Sequence, residues 1–395
     1  MADYDVAIIG GGASGLTLTH GLGVINDRRG RPLSAVLVEP PPGPLTPPPR
    51  TWCFWEPDGG PWDGLLAARW ENLAVVGPDG AEHRSSAAPY VYKMLRSADL
   101  EEHVRSSAGK AVDQLGMTVT GVEDGADRAL VRGVLPGGGE ASLTARWVFD
   151  SRPPDPLPRG RTRLLQHFRG WFVRTPEDAF DPEAAVLMDF RPPQPRDAVA
   201  FGYVLPLSRR EALVEYTEFG PEPLSTGEYE RALRRYCDRL GLKGVEVVSA
   251  EQGVIPMTDA RFRTRAGRRV FRIGTAGGAT RPSTGYTFSG AQRQAAAVVR
   301  ALDRGRVPVP PVPHRRRHLA MDAVMLRALD TGRIDGARFL TRLLTANRLG
   351  DVLAFLDGAS APHRELALGM STPVAAMSAT VADHVWHSLR TRLSR

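Results

Sequence analysis

The 395-residue sequence predicts an α/β fold: a parallel sheet of dinucleotide-binding type, an inserted antiparallel β-sheet, and a helical C-terminal region. Three observations predict it. A short β-branched run, Val6-Ala7-Ile8-Ile9, leads straight into Gly10-Gly11-Gly12-Ala13-Ser14-Gly15, which fits G-x-G-x-x-G. Residues 198–205 and 212–217 alternate apolar and polar side chains around a turn at 206–210, as half-buried antiparallel strands do. From Arg315 onward the apolar residues recur at helical spacing.

Val6 to Ile9 reads as a buried strand. Gly10 permits a tight turn, Gly12 lets the backbone approach a pyrophosphate, and Gly15 lets the next helix pack close to the strand. That helix continues through Leu22, and its first N–H groups, around Ala13 and Ser14, face the phosphates. Ala35 to Val38 is a second buried strand, with Glu39 at its end, where a ribose-binding carboxylate belongs. The competing reading is a glycine turn in an unrelated α/β fold; the flanking strand and helix favour the Rossmann-like one.

Pro40 to Pro49 is too rich in proline for helix or central strand. Arg50 to Glu56 follows as part of the same loop region and carries Trp52, Phe54 and Trp55, which either line an apolar cavity or pack in the core. Strands are predicted at Leu73–Val76 and Tyr90–Met94, and a helix from Ser97 with Ser97 as its cap. Thr118–Gly125, Ala129–Leu135 and Ala141–Phe149 form a strand meander that ends in Asp150.

Gln166–Arg174 and Ala185–Phe190 open a second strand-rich region. Ser225–Leu240 is an amphipathic helix, with Tyr229, Leu233, Tyr236 and Leu240 on one face, and Val245–Val254 returns to strand. Val270–Gly274 then begins a second strand–glycine loop–helix unit, with the loop running from Gly274 to Tyr286 and the helix from Ser289 to Arg304. Its helix N-terminus faces an anion or a cofactor ring. Ala337–Leu344 and Asp351–Leu356 are apolar-faced helices in the C-terminal region.

Hydrophobic residues make up 42% and charged residues 24%, an ordinary globular composition. No apolar run is long enough to span a membrane. The first strand begins almost at Met1, which leaves no room for a signal peptide and predicts a cytoplasmic protein. Cys53 and Cys237 form no metal-ligand or redox spacing, so no metal is expected. The net charge of +7 comes with no nucleic-acid motif. Its densest cluster, His314-Arg315-Arg316-Arg317-His318, is either a solvated basic face or a membrane-surface contact.

Taken together, these stretches resemble the FAD-linked lycopene cyclases of bacteria, relatives of the plant β- and ε-cyclases. The matching segments are DYDVAIIGGGASGL, RTWCFWE, VFDSRP, LLQHFRGW, AVLMDFR, FGYVLPLSRREALVEYTEF, GVIPM and RIGTAGGATRPSTGYTFSGAQRQ, in family order up to about Leu302. LAFLDG and MSTPVAAM match loosely beyond it. Flavin-dependent aromatic hydroxylases usually carry G-D where this chain has Gly274-Thr275, which weakens a monooxygenase reading.

The resemblance implies an isomerase that protonates a linear ψ end group of lycopene and closes a β-ionone ring without net redox change. Reduced FAD would be the cofactor and NAD(P)H its reductant. The cofactor would contact Gly10, Gly12, Ala13, Ser14, Gly15, Glu39, Asp150, Gly274, Thr275, Gly278, Thr284, Gly285 and Tyr286; for Asp150 the alternative is a plain strand-end residue. It implies Glu215 as the acid, since Glu215 stands at the family's acidic position. The residues agree: Leu213 and Glu215 share a face, so an outward Glu215 would expose Leu213. Asp189 is a second acid in an apolar strand, a relay or a structural hydrogen-bonding group. Trp52, Trp55 and Tyr216 would line the substrate and offer π density to a carbocation. Carotenes partition into lipid, so a peripheral membrane contact is expected.

The expected domains are 1–72, 90–170 and 265–305 for FAD, 73–89 and 171–264 for substrate, and 306–395 as the helical C-terminal region. The competing functions are an FAD-dependent oxidoreductase, such as a prenyl-chain reductase or monooxygenase, and a cyclase acting on another polyene or prenylated metabolite.

Overall fold

The computed structural model describes residues 2–108 and 111–393, without the side chains of 385 and 388–393. The elements run β1 (Ala2–Ile9), α1 (Ala13–Asn26), β2 (Ala35–Glu39), β3 (Thr51–Glu56), β4 (Ala68–Trp70), β5 (Asn72–Val76), β6 (Glu82–Ser86), β7 (Val91–Arg96), α2 (Ser97–Ala108), β8 (Asp113–Gly116), β9 (Thr118–Glu123), β10 (Ala129–Val134) and β11 (Glu140–Asp150). There follow β12 (Arg163–Arg174), β13 (Ala184–Asp189), β14 (Val199–Pro206), β15 (Glu211–Gly220), α3 (Thr226–Arg239), β16 (Glu246–Thr258), β17 (Val270–Arg272) and α4 (Phe288–Asp303). Five helices close the described chain: α5 (Arg316–Asp330), α6 (Gly336–Thr345), α7 (Leu349–Leu356), α8 (Pro362–Met370) and α9 (Val374–Leu393).

The first sheet has seven strands in the order β8-β2-β1-β11-β10-β9, with β17 on the C-terminal half of β11. Its β8, β2, β1, β11 and β17 pair in parallel, and β9 and β10 add the antiparallel meander. The buried runs Val6–Ile9 and Ala35–Val38 make its centre. The second sheet is ordered β16-β12-β15-β14-β13-β5-β6 and is mostly antiparallel. β12 lies in it from Arg163 onward, so the boundary expected at residue 171 cuts through a strand.

Two local expectations are overturned. Residues 51–56 are not loop: β3 pairs residue by residue with β7 in a three-stranded antiparallel sheet. The proline run ends at Pro49, and the aromatic and Thr content beyond it suits a pleated, half-buried surface. Nor are β14 and β15 half-buried, because every residue of β14 and all of β15 after Glu211 is buried. One face packs on α3 through Trp171, Val214, Tyr216, Tyr229, Leu233 and Tyr236. The other packs on the C-terminal helices through residues such as Phe201, Leu213, Phe339, Leu343 and Leu353. A strand covered on both sides loses the polar face that alternation implies.

α3 starts where the sequence placed it, with Ser225 and Glu228 forming a reciprocal capping box. Ser97 is the first residue of α2, and its hydroxyl accepts from the Arg50 N–H at 2.9 Å.

Candidate active site

Two regions carry the assigned residues. The first is the glycine-rich turn between β1 and α1. Gly10 turns there at a φ of +94°, a left-handed value that favours glycine. A Cβ at Gly15 would overlap the Gly10 carbonyl oxygen, so this glycine allows α1 to sit against the strand end. Gly12 faces open space, with nothing within 4 Å of where its Cβ would stand. The Glu39 carboxylate reaches back over Gly11, where any Cβ would overlap it, and is joined by Arg105 at 3.4 Å. Burial raises the Glu39 pKa, and Arg105 opposes that shift. A glycine turn at a helix N-terminus beside a strand-end carboxylate fits a dinucleotide.

The remaining residues assigned to the cofactor divide. Ser14 is buried, and a Cβ at Gly274 would stand 2.6 Å from its Oγ, so the two glycine loops meet there. Thr275 bonds the Thr280 hydroxyl at 3.0 Å. Gly278 closes the 274–277 turn at a φ of +72°. Asp150 is engaged by Arg152 through Nε at 3.0 Å and Nη2 at 2.8 Å, the strand-end role held open above. Thr284, Gly285 and Tyr286 line the second region.

That second region is a cavity of about 800 Å³ between the second sheet and the C-terminal helices. Its walls are mainly apolar: Phe168, Leu187, Phe201 and Leu213 from the sheet, and Met325, Leu340 and Leu353 from the helices. Trp52 and Trp55 line it, as expected. The Trp55 indole N–H donates to the Leu353 carbonyl at 3.0 Å, and its ring meets Tyr286 edge-on at 4.5 Å. The Tyr92 hydroxyl lies 2.5 Å from that of Tyr203 and 3.0 Å from that of Tyr286. Burial raises all three phenol pKa values, which keeps these groups neutral. Burial likewise pushes the Cys53 thiol beside them up to about 12.

Glu215 projects into this cavity from β15 and is 8% exposed. Tyr203 of β14 stands opposite it on one side and Gly170 of β12 on the other. Its Oε1 accepts from the Thr217 hydroxyl at 2.6 Å. Burial, with a smaller contribution from Glu251, pushes its pKa up to about 8, and Thr217 opposes the rise. Glu215 is therefore a neutral acid at pH 7 in an apolar wall.

Two of the assigned side chains lie on the α3 side of the sheet, Tyr216 by strand parity and Asp189 because a bulge after Val186 interrupts the alternation of β13. Tyr216, one residue on, points to the α3 side and donates to Glu218 at 2.7 Å. Asp189 is fully buried and does not line the cavity. Arg191 holds it through Nε at 2.9 Å, and Tyr236 of α3 donates to it at 2.9 Å. Gly202 makes room for that tyrosine, because a Cβ there would overlap the phenol ring. Asp189 is thus in a structural ion pair.

Sequence reasoning missed Glu251, Tyr92, Tyr203, Gln166 and the helical half of the cavity wall. Only the register of β16 on β12 singles out Glu251, and no local pattern marks it. The loop at 283–286 is tied to α5 by a Ser283–Asp322 hydrogen bond of 2.8 Å and by the buried Arg281–Asp322 ion pair of 2.7 Å.

The fold and this site define a Rossmann-like α/β protein with a glycine-rich strand–helix turn and a large apolar cavity. Solved structures share the fold at low identity. A geranylgeranyl bacteriochlorophyll reductase-like protein from Thermoplasma acidophilum is 14% identical, with a TM-score of 0.68 over 96% of this chain and 98% of that one. A p-nitrophenol 4-monooxygenase from Pseudomonas putida is 18% identical, with a TM-score of 0.60 over 97% and 98%. A flavoprotein/dehydrogenase from Cytophaga hutchinsonii is 12% identical, with a TM-score of 0.64 over 97% and 99%. A search of curated proteins returned no significant match. The family described as lycopene cyclase protein matches residues 5–382, and the chain belongs to that family.

Proposed function

We propose that this chain is an FAD-dependent lycopene β-cyclase, taking lycopene to β-carotene through γ-carotene. The observation that carries this is Glu215, a carboxylic acid kept neutral in the wall of a large apolar, aromatic-lined cavity. An alkene is a weak base, so its proton donor must be a neutral acid shielded from water. Glu215 gives its proton to the terminal double bond of the ψ end group. The resulting cation is attacked by the next double bond, and a six-membered ring closes. The rings of Trp55, Tyr92 and Tyr286 present π density to the cation, each worth ~0.5–2 kcal/mol. The three linked phenol hydroxyls satisfy one another, so the cavity wall offers no free water-like nucleophile there.

FAD would lie with its pyrophosphate against Gly10, Gly12 and Gly15 and its ribose near Glu39, and in its reduced form, with NAD(P)H as reductant, it would add negative charge near the cation. Substrate enters from a membrane surface. Leu366, Met370, Val374 and Val381 line the cavity and are still 70%, 66%, 48% and 45% exposed, which marks an apolar mouth. Among the described residues no helix is long and apolar enough to cross a membrane, so the contact is peripheral.

Expression in a lycopene-accumulating host, with chromatography of the carotenoids, tests the proposal. Cyclic products are expected from the parent and none from Glu215→Gln. Product formation in step with NAD(P)H loss would replace the cyclase with an oxidoreductase.

A further inference from the structure

Glu215 is one of two carboxylates on the same wall. Across the second sheet, Tyr203, Glu215, Gly170 and Glu251 form one row, each opposite the next in register. Residues in one such row point to one face, and both glutamates line the cavity. Their Cα atoms are separated by two strand spacings, about 10 Å in all. Gly170 stands between them. A Cβ there would lie 2.8 Å from Leu213 Cδ1 and 3.5 Å from Glu215 Oε2, so glycine keeps the space between the carboxylates clear.

We propose that Glu251 is the base that removes the ring proton, a role that rests on the cyclase reading above. Glu251 differs from Glu215 in its partners. The Thr51 hydroxyl of β3 donates to its Oε2 at 2.8 Å, which fixes the side chain and suits an ionised acceptor. Burial raises the Glu251 pKa, but the Thr51 hydroxyl, the Thr51 N–H and the Arg96 charge all oppose that rise. Glu215 has Thr217 alone against its burial and faces the Glu251 charge. Two neighbouring carboxyls in unlike surroundings can divide into an acid and a base, and in this role the pair shares one proton.

The step balances. Glu215 loses its proton as the terminal π bond opens and a C–H bond forms at its inner, less substituted carbon, which leaves a tertiary cation on the dimethyl carbon. After ring closure, a C–H bond on the ring carbon next to the cation breaks. Its electron pair becomes the ring double bond, and the proton passes to the Glu251 carboxylate. Proton transfer from Glu251 back to Glu215, over Gly170, restores the starting state without a redox partner.

The test is product regiochemistry in the lycopene-accumulating host. With Glu251→Gln the ring still closes, but the cation loses a proton elsewhere or takes up water. The main products should then have the double bond displaced around the ring or onto the methyl group, or carry a hydroxyl. Total lycopene consumption should fall by about tenfold or less, below the ~10²–10⁴-fold that loss of a general acid removes. Glu251→Asp should restore much of the normal β-type ring. If Glu251→Gln does not fold by circular dichroism, Thr51→Val, which removes the hydroxyl held to Glu251 and leaves the Thr51 N–H, should shift the same product ratio. An unaltered β-type product from Glu251→Gln overturns this role and leaves the cyclase reading intact. Complete loss of lycopene consumption in folded Glu251→Gln also overturns it, because Glu251 would then act in the protonation step. A parent chain that closes no ring overturns both.

Discussion

Thr217 and Glu215 lie two residues apart on one face of β15, and the Thr217 hydroxyl donates to Glu215 Oε1 at 2.6 Å. A hydrogen bond of this kind favours the carboxylate, yet burial outweighs it and holds the pKa at about 8. In the proposed reaction the catalytic form is the neutral acid. Cyclisation by the parent is therefore expected to level off at acid pH and to fall as pH rises through about 8. Glu215→Gln should lower it by ~10²–10⁴-fold at every pH, with the circular dichroism of the parent. Initial rates with reduced enzyme between pH 6 and 10 would show this, and a parent profile still rising at pH 9 would count against Glu215 as the donor.

The same shift has a stability consequence. A carboxyl whose folded pKa is raised binds more protons in the native chain than in the unfolded one, so stability falls with increasing pH between its unfolded and folded values. For Glu215 that window runs from 4.5 to about 8. At pH 9 Glu215→Gln should be the more stable protein by a few kcal/mol, and the difference should shrink toward zero near pH 4. Urea unfolding at the two pH values measures it. The other buried acids remain in both proteins and cancel in the comparison.

Asp189→Asn keeps the shape but weakens the pairing with Arg191 and Tyr236. Arg191 is 28% exposed, so water recovers part of the loss, and a cost of ~1–3 kcal/mol is expected. The folded fraction should cyclise at the parental rate. Thermal unfolding and the product assay together check this, and a folded but inactive variant would return Asp189 to the chemistry.

Gly12→Val and Gly15→Val separate binding from folding. At Gly12 a side chain enters open space, so the apoprotein should fold as the parent does while losing bound FAD, read by flavin absorbance after purification. At Gly15 the side chain collides with the Gly10 carbonyl, so the expected result is loss of stability. Full flavin content in Gly12→Val would move the pyrophosphate site away from this loop.

Peripheral membrane binding should depend on both the apolar mouth and the exposed charge. Leu366→Gln with Met370→Gln, and separately Arg315→Gln with Arg316→Gln, should weaken sedimentation with anionic liposomes, each arginine contributing ~1 kcal/mol at low salt. Arg317→Gln should act through α8 instead, because Arg317 is bound to Glu365 at 2.9 Å and its basic neighbours His314 and His318 are buried. Binding that ignores lipid charge would refute the electrostatic part.

The glycine-rich turn proposed to hold the nucleotide was legible in the sequence because its determinants are local. A glycine that must turn at positive φ, a glycine under a carbonyl and an acid at a strand end each do their work within a few residues of the motif. The family resemblance and the pairing of Leu213 with Glu215 on one face also pointed correctly into the cavity. Tertiary structure alone decided which other residues join it. Alternation along a strand says which residues share a face, but not that β14 and β15 are covered on both faces, by α3 and by the C-terminal helices. Tyr216 turns toward α3 by its parity on β15, whereas Asp189 turns there because a bulge after Val186 breaks the alternation of β13 and leaves both Leu187 and Met188 on the cavity side. Glu251 is 36 residues from Glu215 in the chain and joins it only through the shared register with Gly170, a pairing set by β12 lying between two strands. Hydrogen-bond register across a sheet is a long-range property, and no local pattern in the chain encodes it.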